Sequence, residues 1–177
     1  TKVLLFTGAL VERKRPHILI EALAKAKNPS AWKIKLVGPV QNLLYLEQMK
    51  QSVSNYGLDG QVEFMGFEED LAHYYLEADL YALPSLSEGM PNGVLEAMSF
   101  QLPVIISSFS SANILCDNKN GFIVNTAEEI ASALDEFLEN PNYFKSKGLK
   151  SYEIISKKFC LSKVASNYIK ILNEIST

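Results

Sequence analysis

Cysteine is almost missing from this chain. Two residues, Cys116 and Cys160, serve all 177 positions. They lie far apart and form no Cys-x-x-Cys pair, which argues against a disulfide or zinc framework. Free thiols in a reducing cytosol are the expected state. Long apolar runs are also missing. None approaches the roughly 18–20 residues that a membrane span needs, and no signal-peptide pattern is visible. Excess charge of one sign is absent as well: 17 basic and 20 acidic residues leave a net charge of −3. So small an acidic balance argues against a general nucleic-acid binder, which needs a basic face. No Gly-x-Gly-x-x-Gly follows the first apolar run, and there is no Walker lysine motif and no Gly-x-Ser-x-Gly elbow. Apolar residues make up 47% and charged residues 21%, the usage of an ordinary globular domain.

Apolar runs alternate with helical periodicity from end to end. Val3–Thr7, Ile34–Val37, Val62–Met65, Leu80–Leu83, Pro103–Ile106 and Gly121–Val124 read as strands. Helices are expected at about 15–27, 43–56, 69–77, 92–100 and 126–140. The last of these opens on a Thr126/Glu129 capping box. Two C-terminal helices, about 142–156 and 161–175, should close a single domain over 1–177. The opening "TKVLLFTG" already reads as a core strand, so the chain is expected to be a domain from a longer protein.

Strand–helix alternation with continuous apolar strands implies an α/β fold: a doubly wound, Rossmann-like parallel sheet of about six strands, covered on both faces. With a strand order of 3-2-1-4-5-6, ligands sit beyond the carboxyl ends of strands one and four. The loops there are 8–14 and 84–93.

The second loop reads "SEGMPNGVLEAM". Gly89, Pro91, Asn92 and Gly93 favour a tight turn that starts a helix. A helix N-terminus exposes unpaired N–H groups and carries partial positive charge, so it suits phosphate. Met90, Asn92 and Gly93 can donate there; Pro91 cannot. Glu88 and Glu96 stand on either side. Carboxylates accept from hydroxyls, so phosphate-binding amides between two carboxylates match a sugar–diphosphate–nucleoside. From the residues alone, the same two glutamates read equally well as plain first-turn helix charges. The first loop, "GALVERKRP", offers Arg13, Lys14 and Arg15. These read as cations for a diphosphate or as a solvated basic turn, the latter being the favoured reading of Arg13 and Arg15. His17 and His73 fall in separate helical segments and read as surface or helix-terminus residues. The tyrosines and phenylalanines read as core.

"PSLSEGMPNGVLEAMSFQLPVIIS" resembles the Glu-x7-Glu signature of retaining glycosyltransferase family 4. "FTGALVERKRPHILIEAL", "LVGPV", "VEFMGF", "ADLYALPS" and "NGFIV" follow that family's order, so the resemblance covers nearly the whole chain. It is to the C-terminal, donor-binding half of a GT-B enzyme. The resemblance implies that Glu96 binds ribose hydroxyls of a UDP- or GDP-sugar and Glu88 binds the transferred sugar. It also implies that Lys14 and the amides of Met90, Asn92 and Gly93 hold the diphosphate, with Glu88 and Lys14 as the catalytic pair. Gly8 and Gly66 belong to the donor-binding loops, and loops 38–42 and 66–68 frame the base. Transfer of a hexose-type sugar with retention, to a glycan or lipid-linked acceptor bound by a missing N-terminal domain, is implied too. No cofactor is expected, and without an Asp-x-Asp pair no metal. The expected setting is cytoplasmic, with peripheral membrane association of the full-length protein. The sequence departs from the family at Ala9, where arginine is usual, and at Gln101, where glycine is usual. Ala9 motivates an alternative, a non-catalytic GT-B partner or scaffold subunit. An unrelated nucleotide-binding module is the remaining reading.

Overall fold

A computed structural model describes residues 1–166 and 169. Six strands form one sheet: β1 (Lys2–Thr7), β2 (Trp32–Val37), β3 (Val62–Gly66), β4 (Leu80–Leu83), β5 (Val104–Ile106) and β6 (Gly121–Ile123). Every pairing is parallel, as the alternation implies, and the order is β3-β2-β1-β4-β5-β6, the one on which the placing of the ligand loops depends. The helices are α1 (Pro16–Lys25), α2 (Leu43–Asn55), α3 (Ala72–Glu77), α4 (Asn92–Ser99), α5 (Ala112–Leu115), α6 (Ala127–Glu139) and α7 (Asn142–Lys158). The four-residue α5 has too few turns to leave a periodic signature in the sequence. Residues 161–166 are helical. Except for residue 169, the rest of the helix expected at 161–175 lies outside the described residues.

Consecutive residues of a strand face opposite sides of the sheet. All four residues of β4 and the last four of β1 are buried, so both faces are covered in the middle of the sheet. Leu4, Leu5, Phe6, Ile34, Leu36 and Leu80 have no exposed surface. The helices around this core also pack on one another: α1 lies beside α2 and α6, and α4 beside α7. The capping box forms as expected, with the Thr126 side chain accepting from the Glu129 amide. Cys116 is buried, Cys160 is partly exposed, and both are free thiols.

The carboxyl ends of β1 and β2 approach very closely. Gly8 (φ +136°) donates to the Val37 carbonyl at 2.8 Å, and a Cβ on Gly38 (φ +149°) would stand 2.0 Å from the Gly8 carbonyl oxygen. No side chain fits at Gly38, so the two loops leave the sheet side by side. Among the described residues, two hold left-handed backbone without being glycine: Arg15 (φ 55°) and Gln101 (φ 61°). The second is the position where the sequence departs from the family's glycine.

Candidate functional site

The loops after β1 and β4 meet where the strand order reverses, at the switch point of the doubly wound sheet. Between them lies a cavity of about 340 Å³. Gly8, Lys14, Glu88, Met90, Asn92, Gly93 and Glu96 all line it. Gly66 does not; it ends β3, and its carbonyl accepts from the Gly38 amide at 2.7 Å.

A 3-10 turn at Glu12–Lys14 closes the first loop, and the left-handed Arg15 hands the chain on to α1. This turn directs the three cations differently. Lys14 Nζ donates to Glu88 Oε1 at 3.1 Å. Arg13 donates through Nη1 to the Ser87 carbonyl and lies 3.5 Å from Glu88 Oε1. Arg15 turns away and donates to the Asn125 carbonyl at 2.8 Å. The sequence reading of a solvated basic turn therefore misses two loop-to-loop ties. Arg13 fastens the first loop to the Glu88 loop, and Arg15 fastens it to the segment ahead of α6.

Glu88 has further partners. The Ser85 hydroxyl also donates to its Oε1, at 2.8 Å, and its own carbonyl accepts from Ser110 at 2.9 Å. Its side chain keeps 12% of its surface exposed and that of Lys14 19%, so the pair is largely shielded from water. Beyond it, α4 begins at Pro91, which takes no side-chain cap. Val94 and Leu95 donate to the Pro91 carbonyl. The amides of Met90, Asn92 and Gly93 make no hydrogen bond among the described residues. Three donors at a helix N-terminus thus open on the cavity, next to a lysine.

Glu96, one turn further along α4, has one side-chain hydrogen-bond partner among the described residues: Tyr75 donates to its Oε2 at 2.8 Å. Tyr75 also meets the Thr7 hydroxyl at 3.0 Å, and Thr7 meets the Tyr81 hydroxyl at 3.1 Å. The sequence reading assigned these tyrosines to the core. Their rings are buried there, but their hydroxyls point at the site. The available signal was that a buried tyrosine hydroxyl has to find a polar partner.

The histidines stay outside the cavity. His17 Nδ1 and the Tyr45 hydroxyl are 2.5 Å apart, in a separate groove against α2. Burial, then the nearby Arg15, lower the His17 pKa, while burial pushes the Tyr45 hydroxyl up to about 12. His73 lies against the Tyr74 ring. Among the described residues no cluster of three or more His, Cys, Asp or Glu is placed to hold a metal ion. No described helix is long and apolar enough to cross a membrane.

Comparison with known proteins gives a consistent picture. A family model described as glycosyl transferases group 1 matches residues 1–155. An uncharacterized glycosyltransferase of Haemophilus influenzae is 28% identical over 176 residues, covering 97% of this chain and 49% of that protein. The O-antigen biosynthesis glycosyltransferase WbnH of Escherichia coli is 27% identical over 168 residues, covering 95% of this chain and 46% of that protein. The crystal structure of Anabaena Alr3699/HepE in complex with UDP superposes with a TM-score of 0.90 at 25% identity, over 97% of this chain and 48% of that one. The chain spans about half the length of the curated relatives it matches.

Proposed function

This chain belongs to the glycosyl transferases group 1 family, and from that premise we propose that it is the donor-binding half of a retaining GT-B glycosyltransferase. It holds a UDP- or GDP-sugar at the switch point. Glu96 accepts from the ribose hydroxyls, and the amides of Met90, Asn92 and Gly93 hold the diphosphate beside Lys14. Glu88 accepts from hydroxyls of the hexose-type sugar. One observation carries this reading: free helix-terminal amides and a lysine share a cavity with two carboxylates, one from a residue ahead of those amides in the chain and one from a residue after them. Support also comes from the Anabaena neighbour, which was solved with UDP.

In this mechanism the bond from the anomeric carbon to the diphosphate breaks, and negative charge grows on the departing nucleoside diphosphate. Lys14 and the α4 terminus stabilise that charge, already oriented and partly shielded from water. Ala9 leaves a methyl group where the resemblance implies arginine. Arg13, whose guanidinium lies 3.5 Å from Glu88 Oε1, supplies the second cation instead. The sugar passes to a glycan or lipid-linked acceptor bound by an N-terminal domain. Neither metal nor cofactor takes part, and the full-length protein works at the cytoplasmic membrane face.

Calorimetric titration with UDP and GDP tests the reading. Binding of one of them is expected, and Glu96→Ala should weaken it by roughly 10-fold or more while the melting temperature barely moves. Failure of the chain to bind either nucleotide refutes the proposal.

A further inference from the structure

We infer that Tyr75 is a positioning residue for Glu96, acting as the last member of a buried, one-directional relay of hydroxyls from Tyr81 through Thr7. The inference rests on the reading of Glu96 as the residue that meets the nucleotide's ribose.

The direction of the relay follows from counting hydrogens. A carboxylate only accepts, so the single hydroxyl hydrogen of Tyr75 goes to Glu96 Oε2, at 2.8 Å. Tyr75 therefore accepts in its 3.0 Å contact with Thr7, and Thr7 donates. That uses the only hydroxyl hydrogen of Thr7, so in the 3.1 Å contact with Tyr81 it is Tyr81 that donates. The Thr7 carbonyl, 3.5 Å away, is a more distant alternative for Tyr81. All three hydroxyls point toward the carboxylate, and each donor polarises the next.

The relay is rigid. Tyr75 is 2% exposed and Tyr81 fully buried. The Tyr75 ring stacks on Phe100 with centroids 5.2 Å apart and lies 6.2 Å from the Tyr81 ring. Burial raises the pKa of both tyrosines, which keeps them protonated as donors. The relay also supports the first turn of α4. A Cβ on Gly93 would stand 2.4 Å from the Tyr81 hydroxyl and 2.7 Å from the Thr7 hydroxyl, so that turn rests directly on these two groups. The phosphate-facing amides and the ribose-facing carboxylate thus share one foundation.

The consequence lies at Glu96 itself. Its Oε2 is taken by Tyr75, while Oε1 accepts nothing among the described residues. An exposed glutamate ordinarily samples several rotamers. Fixing one oxygen presents the other in a constant place, so binding does not have to order the side chain.

The test compares the chain with Tyr75→Phe, which keeps the stacked ring and removes only the hydroxyl. Each is titrated with UDP, with GDP, and with the 2′,3′-dideoxy analogue of whichever binds. The variant should bind the normal nucleotide about 10-fold more weakly and the dideoxy analogue as well as the parent does. Thr7→Val, which cuts the relay one step back, should show a smaller loss with the same selectivity and serves if Tyr75→Phe folds poorly. An equal loss for both nucleotides, or no loss, overturns the inference and leaves the proposed function standing. If the parent binds neither UDP nor GDP, both fall together.

Discussion

Glu88 shares one oxygen among a lysine, an arginine and a serine on a loop, whereas Glu96 has a single tyrosine hydroxyl on a helix. The two residues have the same chemistry and stand eight positions apart, yet their surroundings give them different properties. The Glu88 side is organised by opposite charges across two loops, so neighbouring charged side chains can adjust it. At Glu96 a chain of uncharged hydroxyls is anchored in the core, so packing controls it. Under the proposed function, the charge-rich side would meet the reacting phosphate and sugar, and the hydroxyl-anchored side would recognise a part that does not react.

Gly93→Ala should break the packed side hardest. Its Cβ would overlap the Tyr81 and Thr7 hydroxyls, at 2.4 and 2.7 Å. A stability loss of about 1–3 kcal/mol is expected in urea unfolding, together with loss of nucleotide binding. Gly89→Ala, four residues earlier, meets nothing within 4 Å. It should change stability by less than about 0.5 kcal/mol. Equal effects from the two substitutions would remove the packed foundation from the account.

Lys14→Ala probes the charged side and should act more gently. Glu88 keeps Arg13 and Ser85 as partners, so the fold should hold. Affinity for the bound nucleotide should drop about 10-fold at low salt, and somewhat less at high salt, because the partly shielded site is only partly screened. Titrations at two ionic strengths check this. A loss that does not depend on salt would mean that Lys14 acts by packing.

The fold was legible because its signals are local. Continuous apolar strands separated by helical periods admit few topologies, and the reversal between β1 and β4 follows from the observed order. The amide donors were legible for the same reason, since a Gly-Met-Pro-Asn-Gly turn before an apolar helix announces a helix N-terminus. The relay was not legible. Thr7, Tyr75 and Tyr81 come from β1, α3 and β4, and nothing in their spacing shows that three hydroxyls converge. The separate paths of Arg13, Lys14 and Arg15 were hidden too, because they depend on the 3-10 turn and on a left-handed arginine. Gln101 shows the intermediate case. The family resemblance marks it as a place for glycine, and its φ of 61° agrees, yet glutamine occupies it.

The central claim is that the diphosphate lies on the α4 amides with one carboxylate directed at each carbohydrate ring. A crystal structure of the chain with a bound nucleotide sugar tests it most directly. The account predicts Glu96 Oε1 in hydrogen-bond contact with the ribose and the diphosphate on Lys14 and the amides of residues 90, 92 and 93. It also predicts hexose hydroxyls on Glu88. A nucleotide seated in the groove beside His17 and Tyr45, or bound at the α4 terminus with its ribose away from Glu96, would contradict it.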